Sequence, residues 1–112
     1  MSDKDLKLAL VRILLQHQGR TKAIRGSELA QMMGFKNDRA VRLAIRDLIA
    51  DGYPIASTTQ EPAGYFIAAS LEEANEYMDD LKGRLIQDAL RRRDFKLSMG
   101  WLTDRVVQGK LI

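Results

Sequence analysis

Arg39, Arg42 and Arg46 stand three and four residues apart in one stretch of the chain. On a helix turning about 100° per residue they fall within roughly 60° of each other, a single cationic stripe. A guanidinium presents its donors as a rigid fork that fits two phosphate oxygens or the outer edge of guanine. That is chemistry for a nucleic acid; the alternative is an ordinary solvated helix face. Lys36 and Asn37 lie just before the stripe, and Arg25 lies upstream of it. Thr58, Thr59 and Gln60 offer hydroxyl and amide groups suited to a phosphate or a minor groove, or else to a solvent loop. These nine residues are the candidate contacts.

Catalytic chemistry is poorly represented. There is no Cys and one His, His17, which excludes disulfides, thiol nucleophiles and the familiar Cys/His zinc sites. His17 reads as a partly buried structural residue. The carboxylate pairs Glu72-Glu73 and Asp79-Asp80 are helix neighbours that point in different directions, which suits solvent better than acid–base work. No glycine-rich phosphate cradle and no metal-ligand spacing occurs. The expectation is a binding protein, not an enzyme, with no metal and no cofactor.

The charge is localised. Over 112 residues, 18 Lys+Arg against 15 Asp+Glu give +3, a mild excess. Residues 17–46 hold seven basic and two acidic residues, whereas residues 70–112 hold eight of each. With 46% hydrophobic and 29% charged residues the composition is globular. The longest apolar runs, such as Ile13-Leu14-Leu15, fall far short of the ~20 residues of a membrane span. The charged start Met1-Ser2-Asp3-Lys4-Asp5 lacks the apolar stretch of a signal peptide. A cytoplasmic protein with no membrane partner is expected.

Positioning the stripe requires a scaffold. Leu6, Leu10, Ile13, Leu14 and His17 keep helical rhythm over residues 4–17, and Gly19 ends that helix. Lys22-Ala23-Ile24 is a brief strand or an extended link. A second, short helix opens at Gly26-Ser27-Glu28 with Ser27 as cap, turns Leu29, Ala30 and Met33 inward, and closes at Gly34. Asn37 or Asp38 caps a third helix running to about Ala50, with Val41, Ala44, Ile45, Leu48 and Ile49 as its apolar face. Gly52 and Pro54 stop it. Ile55–Thr58 and Tyr65–Ala68 alternate as strands around a turn-rich loop, giving a hairpin in which Tyr65 and Phe66 face opposite sides. A helix as short as the second is not stable alone and makes sense packed across its successor.

Gly26-Ser27-Glu28-Leu29-Ala30-Gln31-Met32-Met33-Gly34, Arg39–Leu48, Asp51-Gly52-Tyr53-Pro54-Ile55 and Gly64-Tyr65-Phe66-Ile67 together resemble the winged helix-turn-helix of bacterial regulators. The nearest version is the N-terminal DNA-binding domain of the biotin operon repressor and its relatives. The resemblance covers roughly residues 8–69. It implies a winged-helix domain over 1–69, double-stranded DNA as partner, residues 37–47 as recognition helix, and no enzyme, since the ligase domain is absent. The chain departs from the family at Arg25, where a small capping residue is usual. The turn Phe35–Asp38 is about one residue longer than usual, and the wing tip carries Glu61 without Lys or Arg.

Ser70-Leu71-Glu72-Glu73 is a capping box, opening a long helix to roughly residue 93. Its stripe Leu71, Ala74, Met78, Leu81 and Leu85 packs back on the domain or forms a two-fold seam, and a homodimer reading two half-sites is the favoured expectation. Residues 94–112 are a short helix or a tail. The fold class expected is thus mainly α with a small β-hairpin: a winged helix-turn-helix over 1–69 and a long C-terminal helix with tail over 70–112. The function expected is a small sequence-specific transcriptional regulator without a small-molecule effector, its minimal size fitting a phage or mobile element. The alternative is a protein–protein adaptor or replication accessory protein built on the same fold.

Overall fold

The computed structural model describes residues 2–107 and is mainly helical: three helices, an antiparallel hairpin and a fourth, long helix. Helix α1 (Asp3–Leu14) starts where the Ser2 hydroxyl accepts a 3.2 Å bond from the Asp5 amide. Asp3 and Asp5 place negative charge at its positive end. It stops short of the expected residue 17 because the following backbone is claimed by a strand. The Gly19 amide donates to the Ile67 carbonyl at 2.8 Å, and the Ile67 amide to that of His17 at 3.0 Å. Gly19 allows this turn with a φ of 94°. A single 3₁₀ turn, Arg20–Lys22, follows, and the half-buried His17 sets its Nδ1 2.7 Å from the Lys22 carbonyl oxygen.

Ile24 is neither a free link nor a full strand. It exchanges two backbone hydrogen bonds with Tyr65, at 2.8 and 2.7 Å. Helix α2 (Gly26–Met33) begins immediately afterwards. Ser27, expected as its cap, therefore lies inside the helix; Arg25 holds the cap position and makes no side-chain cap bond. A side chain on Gly26 would stand 3.3 Å from the Tyr65 ring. Gly34, with φ 71°, ends α2: the Phe35 amide reaches back to the Ala30 carbonyl and the Gly34 amide to that of Gln31. Helix α3 (Asp38–Ala50) is capped by Asn37, whose Oδ1 accepts from the Ala40 amide at 3.0 Å. It ends in the same motif, with Gly52 at φ 109° and the Tyr53 amide bonded to the Leu48 carbonyl.

Strands β1 (Ile55–Thr58) and β2 (Gly64–Ile67) pair antiparallel in the register Ile55 with Ile67 and Ser57 with Tyr65. The core gathers Leu10, Val11 and Leu14 of α1, Leu29 and Ala30 of α2, and Val41, Ile45 and Leu48 of α3 around Ile24, Ile55 and Ile67. Leu10, Leu14, Leu29, Leu48 and Val41 are the fully buried members. Each contributes about 1.5–3 kcal/mol by leaving water. Ile49 departs from the expected apolar face and is exposed. Phe66 is buried and Tyr65 is half-buried against the core.

Helix α4 (Leu71–Val107) runs past the expected end near residue 93, through Gly83 and Gly100. No proline interrupts it, and an isolated glycine costs a helix only about 1 kcal/mol. Residues 108–112 of the expected tail lie outside the described residues. The chain divides into two compact units, residues 1–77 and 78–112, so the first turns of α4 belong with the first unit. The expected cap forms there: the Glu73 amide donates to Ser70 Oγ at 3.1 Å. The Glu73 carboxylate accepts from the Ala69 amide at 3.1 Å and from the Arg20 amide at 3.3 Å. Tyr77 Oη lies 3.5 Å from Ser57 Oγ. In the second unit every residue from Met78 to Thr103 is exposed.

Candidate nucleic-acid interface

Helix α3 is sharply two-sided. Val41, Ile45 and Leu48 are buried, which fixes the rotation of the helix and turns Arg39, Arg42 and Arg46 to solvent. Helix α2 packs across α3, and the turn between them is closed by Gly34 and the Asn37 cap. The stripe is therefore held by a rigid element rather than by a loop. Among the described residues none of the three arginines has an ion-pair partner, whereas Asp47 and Asp51 near the end of the helix face Lys7 at 3.9 and 3.6 Å. The acidic groups of α3 are thus partly answered from α1, and the cations are left unanswered.

Tyr65 of β2 lies close to the stripe. Burial pushes its phenol pKa above the ordinary value of 10.0; the Arg42 charge opposes that shift, and Asp38 and Tyr77 add to it. The phenol stays neutral at neutral pH, so it leaves the Arg42 charge intact.

The remaining candidates are placed unevenly. Lys36 is exposed beside the start of α3. Asn37 spends its side-chain oxygen on the helix cap. Thr59 and Gln60 are exposed at the hairpin tip, while Thr58 is half-buried and its hydroxyl accepts from the Gln60 amide at 3.1 Å. Arg25 is held by Glu61, Nη2 to Oε1 at 2.8 Å, both side chains being exposed. Each of these two was a departure from the winged-helix pattern in the sequence, and they turn out to be partners. Their pairing neutralises the acid at the tip and occupies the Arg25 guanidinium.

One residue escaped the sequence reading. Leu43 lies 49% exposed on α3. Its helical angle of about 200° from Val41 places it next to Arg39 and away from the buried face. An exposed leucine bordered by arginines suits a thymine methyl. The signal was its exclusion from the apolar arc.

Among the described residues no group of three His, Asp or Glu side chains is placed to hold a metal ion, and no helix is long and apolar enough to cross a membrane. No protein-family model matches the chain, nor does any curated protein or solved structure.

Proposed function

We propose that the chain is a sequence-specific double-stranded DNA-binding protein of winged helix-turn-helix type, resembling the DNA-binding domain of the biotin operon repressor, and that it acts as a small transcriptional regulator. Helix α3 enters the major groove with Arg39, Arg42 and Arg46 on base edges or phosphates, and α2 braces it. Lys36 adds a phosphate contact at the helix start. Thr59 and Gln60 reach the backbone from the hairpin. The observation that carries this reading is the set of three exposed arginines without ion-pair partners on a helix whose opposite side is locked in the core. Like charges three and four residues apart on a helix repel by about a few tenths of a kcal/mol, and a bound polyanion would relieve that repulsion.

Selection from a pool of random duplexes tests it. An enriched motif is expected, with binding that weakens as salt rises by a log–log slope of about −0.9 per phosphate contacted. Arg42→Ala and Arg46→Ala are each expected to weaken binding about tenfold or more while leaving the melting temperature nearly unchanged, since both side chains are exposed. A chain that retains no duplex at low salt overturns the proposal. That outcome, together with capture of a protein partner lost on Arg42→Ala, favours the adaptor reading.

A further inference from the structure

The second unit carries a regular seam. From Met78 onward, exposed apolar residues recur at Leu81 and Leu85, and again at Phe95, Met99 and Leu102, each between 43% and 71% exposed. These six obey one seven-residue repeat, whereas Ile86, Leu90, Leu97 and Trp101, exposed as well, fall on its other positions. The two positions that continue the repeat between Leu85 and Phe95 are Asp88 and Arg92, one acid and one base. Neither has an ion-pair partner among the described residues. Gly83 and Gly100, which have no side chain to pack, both fall on repeat positions away from the seam. Helix α4 continues unbroken through all eight positions, about 36 Å of rod at 1.5 Å per residue.

The eight positions are symmetric about residue 90. In an antiparallel pair the two kinds of seam position face each other. Met78 then meets Leu102 of the second copy, Leu81 meets Met99, Leu85 meets Phe95, and Asp88 meets Arg92. Every apolar residue finds an apolar one, and the charges pair twice across the two-fold. In a parallel pair each residue meets its own copy, so Asp88 would face Asp88 and Arg92 would face Arg92. Like charges held together in a seam are strongly unfavourable.

We propose that the second unit binds a second copy of this chain as an antiparallel two-helix coil centred on residue 90, with Asp88 and Arg92 setting direction and register. The pairing rests on no DNA contact, so its test reads mass without DNA and its outcome is separate from that of the regulator reading.

Sedimentation equilibrium of the full chain is expected to show a dimer. Asp88→Arg places cations opposite one another at both crossings, and Arg92→Asp places anions there; each is expected to weaken the dimer about a hundredfold. An equimolar mixture of the two variants restores opposite pairs at both crossings and is expected to form the heterodimer at near wild-type affinity. Recovery in the mixture also shows that each variant still folds. Direction is read by oxidative cross-linking, which the absence of native cysteine makes clean. Leu85→Cys and Phe95→Cys are each expected to stay uncross-linked alone and to link when mixed. A monomeric wild-type chain, variants that do not associate when mixed, or efficient self-linking of either single cysteine variant each overturns the proposal.

Discussion

Arg25 and Glu61 join the start of α2 to the tip of the hairpin, with Nη2 and Oε1 2.8 Å apart. They stand 36 residues apart in sequence. Exposed pairs of this kind contribute up to about 1 kcal/mol. A double-mutant cycle with Arg25→Ala and Glu61→Ala, followed by urea unfolding, is expected to give a coupling of about 0.5 kcal/mol that fades with added salt. On the DNA-binding proposal Glu61→Gln also frees the Arg25 guanidinium for a phosphate. Duplex affinity should then rise several-fold, and the salt slope should steepen by about 0.9. An unchanged slope in a titration would show that Arg25 does not reach the duplex.

Leu43 gives a test of base reading. Leu43→Ala removes an exposed side chain and should leave the melting temperature within a few degrees of wild type. If it touches a thymine methyl, the selected motif should lose its preference at one position while overall affinity falls about fivefold to tenfold. Repeating the duplex selection with the variant measures this.

Within the first unit, Glu73 ties the first turn of α4 to the amides of Ala69 and Arg20. Glu73→Ala leaves both donors to water and is expected to cost about 1–2 kcal/mol by urea unfolding. Glu73→Gln keeps one acceptor oxygen and should cost less. Equal costs for the two variants would show that the acceptor oxygens of residue 73 contribute nothing to stability.

Two glycines should respond in opposite senses. Gly64 has a φ of 135°, and a Cβ there would run into the backbone of Ile24 and Arg25. Gly64→Ala is expected to destabilise by more than about 2 kcal/mol, because the strain adds to the displacement of the Ile24–Tyr65 bridge. Gly83 lies in a helix with open space around it. Gly83→Ala should raise the helix stability by about 0.5–1 kcal/mol, seen as a higher thermal midpoint of the far-ultraviolet signal.

The Tyr65 phenol provides a pH signature. Its pKa is raised in the folded chain, chiefly by burial. The folded state therefore holds its proton more tightly than the unfolded one. The associated stability is fully present below the ordinary pKa of 10.0 and is lost as pH climbs through the raised value. Tyrosinate absorbance should show one tyrosine titrating late, and Tyr65→Phe should remove that step and flatten the alkaline fall in stability.

Much of this was readable in the residues. The α3 stripe and its buried back follow from helical spacing alone, since Val41, Ile45 and Leu48 share one arc and the arginines another. Gly34, Gly52 and Asn37 announce their ends through backbone needs that few other residues meet. What was not legible depends on residues distant in sequence. The grip of Ile67 on His17 and Gly19 shortens α1, and the bridge from Ile24 to Tyr65 moves the cap of α2 from Ser27 to Arg25. The run of α4 past residue 93 was hidden by Gly100, which suggests a break, although an isolated glycine costs a helix only about 1 kcal/mol.

Strand β2 is gripped along both sides, by β1 on one and by Gln18 and Ile24 on the other. That leaves β1 as the outer strand, four residues long with Pro54 directly before it. So short an edge is a poor template for another chain's backbone, which guards the folded chain against fibril-like stacking. Concentrated samples should accordingly stay clear and free of ribbon-like aggregates for as long as this domain remains intact.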